Sequence, residues 1–167
     1  EGLTPAAVLL THGHYDHILA VPALQKAWPD LPVYCHPLDV PAATREYDPD
    51  MGRSFPTVAA FANLRPLADG QTLTEAGITF KVLHTPGHTA GCCTFLGGDA
   101  MFSGDTLFQE CCGRTDLETG SLEEILKSLK RLAQLEGNFR VLPGHEGFSS
   151  LDYERQYNPY IREAMRR

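Results

Sequence analysis

Three histidines and an aspartate fall within the stretch Thr11-His12-Gly13-His14-Tyr15-Asp16-His17, directly after the apolar run Ala6-Ala7-Val8-Leu9-Leu10. Core packing does not call for such a cluster. Imidazole and carboxylate together form the ligand set for zinc, iron or manganese rather than for calcium or magnesium. His12 and His14 are two apart, so on an extended chain they project to the same side. Asp16 and His17 follow where the backbone is expected to turn into a helix, and they can point at a second nearby position. One short segment can therefore serve two metals. The plain alternative is a group of surface histidines at a strand end.

Several elements must position these and later candidates. Ala6–Leu10 is expected to be a buried strand that ends at the histidine loop. Ile18, Leu19, Val21 and Leu24 continue in a helical pattern toward Trp28, with Pro22 tolerable in a first turn and Pro29 helping to stop the helix. Val33–His36 reads as a short strand and His36 as a strand histidine. Leu38–Thr44 is expected to form a short helix, and Tyr47–Gly52 is rich in turn formers. Phe55, Val58, Phe61 and Leu64 recur at helix-like spacing, which a packed loop also satisfies. This region is expected to border a substrate opening.

Ile78–Leu83 alternates as a strand does and runs into His84-Thr85-Pro86-Gly87-His88-Thr89. Proline fixes one backbone angle and glycine permits a sharp turn, so His88 is expected on a rigid strand-end loop. His84 reads as a structural histidine. Cys92–Leu96 and Ala100–Phe102 form a hairpin about Gly97-Gly98-Asp99, and its second strand delivers Asp105. Ser121–Leu135 is the clearest helix. Ser121 and Glu124 have capping-box spacing, and Leu122, Ile125, Leu126, Leu129, Leu132 and Ala133 form its apolar stripe. Lys127, Lys130 and Arg131 are expected to face water. Phe139–Leu142 reads as a final strand that presents His145 after Pro143-Gly144. Tyr153–Arg167 reads as a terminal helix interrupted at Asn158-Pro159. Strands alternate with helices, which suits an α/β sandwich whose strand-end loops converge on one edge.

The chain has 167 residues, 43% hydrophobic and 21% charged, which suits one domain over residues 1–167. No apolar run approaches the roughly 18 residues of a membrane span, and no secretory leader is evident, so neither a membrane nor export is expected. The formal charge of −7 argues against nonspecific nucleic-acid binding. The five cysteines, Cys35, Cys92, Cys93, Cys111 and Cys112, are odd in number and include two adjacent pairs. They read as packing thiols of a reducing cytoplasm rather than as a disulfide framework or as metal ligands.

His12-Gly13-His14-Tyr15-Asp16-His17 resembles the HxHxDH signature of the metallo-β-lactamase-fold hydrolases. Thr85–Thr89, Phe102-Ser103-Gly104-Asp105-Thr106-Leu107 and Leu142-Pro143-Gly144-His145 are similar to the remaining ligand motifs of that superfamily, in the same order. Within it the motifs resemble those of the glyoxalase II-like branch, which includes single-domain bacterial hydrolases. Gly113-Arg114-Thr115-Asp116 matches a Gly-Arg-Ser/Thr-Asp element of that branch. In it Arg114 and Asp116 are expected to brace the site, or else to bind substrate carboxylates.

The resemblance implies an αββα sandwich. The motif arrives early, at residue 12, so the domain is expected to be short of the leading strands that usually precede it. It also implies two divalent ions, with zinc first and iron or manganese possible. His12, His14 and His88 would hold one, Asp16, His17 and His145 the other, and Asp105 would bridge them. Two such ions about 3.5–4 Å apart repel each other, which a shared carboxylate offsets, and they acidify a bridging water toward neutral pH. Asp16 is expected to orient the resulting hydroxide. The implied activity is hydrolysis of a small-molecule thioester or related ester, of the hydroxyacylglutathione type. Two alternatives stay open: a persulfide dioxygenase of the same fold, with one iron held by two histidines and an aspartate, and a non-catalytic or truncated metal-binding domain.

Overall fold

The apolar run ahead of the histidines forms strand β1 (Val8–Leu9), shorter than Ala6–Leu10. It pairs in parallel with β2 (Val33–Cys35), and β2 pairs in parallel with β3 (Leu64–Pro66). Leu64 therefore opens a strand rather than closing a helical turn, and Pro66 is tolerated because β3 is an edge of this three-stranded sheet. This computed structural model describes residues 2–44 and 62–167. The turn expected over 47–52 and the spacing of Phe55, Val58 and Phe61 lie outside the described residues.

Between β1 and β2 the chain forms α1 (Tyr15–Ile18) and α2 (Val21–Ala27) rather than one continuous helix. Pro22 lies in the first turn of α2, where its missing amide hydrogen costs nothing, and the preceding Leu19-Ala20 is the break. A third short helix, α3 (Val40–Thr44), follows β2.

The second sheet has six strands in the order β4 (Thr72–Glu75), β5 (Ile78–His84), β6 (Cys93–Gly97), β7 (Ala100–Gly104), β8 (Arg140–Pro143) and β9 (Ser149–Ser150). Only β7 and β8 pair in parallel. The expected hairpin is β6–β7, closed by Gly98-Asp99 with Gly98 at φ +59°. Because β8 is followed by β9, the Phe139–Leu142 strand is not the last one.

Helix α4 (Leu122–Ala133) is capped as the sequence predicts, with the Ser121 hydroxyl accepting from the Glu124 amide. Its stripe begins one turn later than expected: Leu122 is 51% exposed, whereas Ile125, Leu126, Leu129 and Leu132 are buried. Arg131 does not simply face water. Its guanidinium donates to Asp69 and to the His84 carbonyl. Helices α5 (Leu151–Tyr157) and α6 (Pro159–Arg166) complete the chain, with Asn158 between them accepting from the amides of Tyr160 and Ile161.

Three apolar clusters define four layers. Ile18, Val21 and Ala43 from the first three helices pack on Leu10, directly after β1, and on Val33 and Cys35 of β2. Tyr34 and Leu67 on one side meet Leu73, Val82 and Phe95 on the other, filling the space between the sheets. Ile125, Leu129 and Leu132 of α4 and Ile161 and Ala164 of α6 cover Leu83, Met101 and Val141 on the far face. This is helix, sheet, sheet, helix, the αββα arrangement.

The sheet directions bring the motifs together. β5 and β7 are each antiparallel to β6, and β8 is parallel to β7, so β5, β7 and β8 all end at one edge. The loop after β1 joins that edge, since the Thr11 carbonyl accepts from the Cys93 amide at 2.7 Å.

Candidate metal centre

Each candidate side chain leaves the scaffold at that edge. His12 and His14 lie on the loop after β1, and Asp16 and His17 on α1. His88 sits on the loop after β5, Asp105 immediately follows β7, and His145 follows β8. All seven come together in overlapping groups whose donor atoms lie within 4.8 Å of one another: His12, His14 and His88; His12, His17 and Asp105; Asp16, His17 and His145.

Two glycines allow this approach. Gly87 has φ +140°, and a side chain there would meet the Ile125 backbone at 2.3 Å, so the His88 loop can lie directly on α4. The hold is completed by the Ser121 amide donating to the Gly87 carbonyl and by Ser128 Oγ donating to the Pro86 carbonyl. Gly144 has the second role. A Cβ there would fall 2.3 Å from Asp105 Oδ1 and 2.6 Å from His17 Cε1.

The cluster is open at one end. His12, His88 and Asp105 are buried, whereas the side chains of Asp16 and His145 are 35% and 49% exposed. Asp105 stands between the two sides: Oδ1 is 3.3 Å from His17 Nε2, and Oδ2 is 3.4 Å from His88 Nε2 and 3.5 Å from His145 Nε2. Asp16 Oδ2 lies 3.1 Å from His145 Nε2.

These donors fit metal ions. His12 Nε2 and Asp105 Oδ1 are fully buried yet make no hydrogen bond, which is costly for polar atoms unless a ligand satisfies them. His14 Nδ1 faces His88 Nε2 at 2.8 Å, and His17 Nε2 faces His145 Nε2 at 3.3 Å. Imidazole nitrogens that face one another at these distances are an arrangement that a cation satisfies.

The electrostatics agree. Burial, followed by the neighbouring imidazoles, holds His12 well below the ordinary histidine value, and burial with His88 also lowers His14. Both shifts favour the neutral form, which is the one that binds metal. Burial works against a proton on His17, but its contact with Asp105 and the charges of Asp105 and Asp16 outweigh this and raise its pKa. Burial would raise Asp105, but the contact with His17 and the surrounding histidines lower it. At His17 the two carboxylates thus favour positive charge, the charge that a cation would supply.

In the Gly113–Asp116 element the contact with the site is made by a backbone carbonyl, not by the Arg114 and Asp116 side chains expected to brace it. His88 Nδ1 donates to the Arg114 carbonyl at 2.8 Å, while the Arg114 guanidinium pairs with Asp116 at 2.7 Å in an exposed contact. His84 and His36 stack on each other at 4.1 Å, outside the cluster, and His84 Nε2 donates to the Ala90 carbonyl. All five cysteines are free, and no candidate metal group among the described residues includes one. Burial pushes the thiols of Cys35 and Cys92 up to about 12, so they are poor ligands.

One residue was not visible as part of the site. Asp39, buried at the start of α3, accepts from Gly13, Thr89 and Gly91. A lone aspartate in a predicted short helix carries no sequence signal for such a role.

A family description, the metallo-beta-lactamase superfamily, matches residues 1–145. The chain belongs to the metallo-beta-lactamase superfamily. Within this superfamily it is 42% identical over 146 residues to a hydroxyacylglutathione hydrolase of Xylella fastidiosa strain M12, a match covering 87% of this chain and 48% of that protein. The chain thus spans about half the length of the curated hydroxyacylglutathione hydrolases it matches. Among solved structures it is similar to TTHA1623 in a di-iron-bound form, with 41% identity and a TM-score of 0.82, covering 96% of this chain and 79% of that one. It is also similar to the BLEG-1 B3 metallo-beta-lactamase, with 35% identity and a TM-score of 0.82, covering 95% of this chain and 78% of that one.

Proposed function

We propose that this metallo-beta-lactamase superfamily chain holds two divalent metal ions, zinc in the first instance, and hydrolyses a small-molecule thioester of the hydroxyacylglutathione type. The observation that carries the reading is the position of Asp105, with one oxygen toward His17 and the other toward His88 and His145. His12, His14 and His88 would hold one ion, Asp16, His17 and His145 the other, and Asp105 would be shared. Bound there, such ions supply an acidified water and Lewis-acid polarisation of a carbonyl.

The chain's own groups do the rest. Asp16 Oδ2, at the open end, orients the attacking water and is the proposed catalytic carboxylate. His145, half exposed, marks the side from which substrate enters. The buried His12, His88 and Asp105 form the closed floor, where electrostatic interactions are strongest. No serine or thiolate nucleophile is required.

The similarity to a hydroxyacylglutathione hydrolase supports a thioester. Similarity to a di-iron-bound protein favours metal binding without fixing the element, because a histidine and aspartate set accepts zinc, iron and manganese. The free thiols favour a reducing compartment, and we assign the protein to the cytoplasm. No helix among the described residues is long and apolar enough to cross a membrane.

The test is thiol release from lactoylglutathione and a short panel of other thioesters, together with hydrolysis of oxygen esters and of a β-lactam followed by acid or ring-opened product, with and without chelator. Turnover that chelator abolishes and zinc restores is expected. Absence of metal-dependent turnover on every member would overturn the esterase reading. Oxygen uptake with glutathione persulfide would instead favour the mononuclear-iron alternative. The second group of donors, Asp16, His17 and His145, is what weighs against that alternative.

A further inference from the structure

Asp39 contacts none of the proposed ligands' donor atoms, yet it joins two of the loops that carry them. It lies 2% exposed, just beyond the end of β2. Oδ2 accepts from the Gly13 amide at 2.9 Å and from Thr89 Oγ1 at 2.7 Å, and Oδ1 accepts from the Gly91 amide at 2.7 Å. Gly13 is the residue between His12 and His14. Thr89 directly follows His88, and Gly91 lies on the same loop. One carboxylate therefore ties the small sheet's histidine loop to the large sheet's histidine loop. Hydrogen bonds to a charged acceptor are short and strong, and these three leave the carboxylate no freedom to turn.

The ligands proposed for the other ion are held differently. Asp16 and His17 belong to α1, and His145 follows Gly144, whose amide donates to the Gly104 carbonyl at 2.9 Å. Asp39 makes no hydrogen bond to those segments. We propose that Asp39 is a positioning residue dedicated to the His12, His14 and His88 position: it sets the distance between the two loops and so the metal affinity of that position alone. The proposal rests on the two-ion reading above and adds to it a division of labour within the site.

An isosteric change tests this. In Asp39→Asn, one acceptor oxygen becomes an NH2 donor, which must face one of the three donors. The two positions can be separated by pairing the change with His145→Ala, which leaves the His12, His14 and His88 position, or with His14→Ala, which leaves the other. Zinc affinity is then measured by competition with a chromophoric chelator. Asp39→Asn is expected to weaken binding by roughly 10–100-fold beside His145→Ala, the range for residues that orient metal ligands, and by less than about threefold beside His14→Ala.

Hydrogen exchange of the Gly13 and Gly91 amides, faster in metal-free Asp39→Asn than in the metal-free parent, reads the same effect without any metal. Should Asp39→Asn not fold, Thr89→Val removes one of the three donors at equal size and is expected to shift affinity in the same selective direction. Equal weakening at both positions, as general destabilisation would give, or no weakening at either, overturns the proposal while leaving the two-ion reading intact. A parent chain that binds no zinc overturns both.

Discussion

His14 Nδ1 and His88 Nε2 stand 2.8 Å apart on loops separated by 74 residues. The carbonyl of Arg114 can only accept, so His88 Nδ1 carries a proton, which leaves the Nε2 lone pair as this ring's metal-binding site. That lone pair is directed toward His14 and the Asp105 carboxylate. A cation at this point satisfies all three groups. His88→Ala is therefore expected to lose one ion per chain and at least about 100-fold in kcat/KM. Metal content by mass spectrometry and thioester kinetics check it. Two ions per chain retained in the variant would contradict the assignment.

Arg114 braces His88 through its backbone, while its side chain lies in an exposed pair with Asp116. Removing the guanidinium leaves the carbonyl in place. Arg114→Ala is expected to keep full metal content and an unchanged melting temperature, because exposed ion pairs contribute little. If the variant instead lost metal, the side chain would be holding the loop. A rise in KM confined to substrates bearing carboxylates would identify it as a substrate contact.

The metal-free chain should weaken on mild acidification. The folded pKa values of His12 and His14 are below the ordinary 6.5, so the unfolded chain takes up those protons first. The stability tied to them is present above about 6.5 and is lost as pH falls toward the folded values. His17 acts in the opposite sense: its folded value is raised, so its contribution is full below 6.5 and lost as pH rises through the folded value. His36, lowered by burial and by His84, adds to the same side, so three groups against one, with His12 strongly shifted, give a net loss. Urea midpoints in chelator are expected to be lower at pH 5.5 than at pH 7.5. An equal or higher midpoint at pH 5.5 would contradict this.

Helix α4 fastens the His88 loop through Ser128, whose hydroxyl donates to the Pro86 carbonyl at 2.7 Å from a site 4% exposed. Ser128→Ala leaves that carbonyl without this donor. The expected cost is about 1–3 kcal/mol, the penalty for an unsatisfied buried group. Equilibrium urea unfolding of the metal-free chain measures it, and a change below about 0.5 kcal/mol, the scatter of ordinary surface substitutions, would show the bond to be incidental.

Much of the centre could be read from the sequence because its chemistry is local. His12 and His14 share a face by strand period, and Pro86-Gly87 and Pro143-Gly144 announce sharp turns beside their histidines. What escaped was short or long-range. The β4–β5 turn is Ala76-Gly77, with φ values of +50° and +77°. Such a turn usually advertises itself with Asn or Asp at the first position, and alanine hid it. β9 spans only two residues, too few to show alternation. Leu122 matches the α4 stripe by period but lies in the first turn, where its side chain is 51% exposed. Asp39 meets its donors across 26, 50 and 52 residues, a relationship no spacing rule detects.

The most direct measurement is an anomalous difference map from crystals of the zinc-loaded chain, collected at the zinc edge. Two peaks about 3.5–4 Å apart are expected, one among His12, His14 and His88, the other among Asp16, His17 and His145, with Asp105 between them. A single peak under saturating zinc, or none at this edge of the sheets, would contradict the two-ion reading.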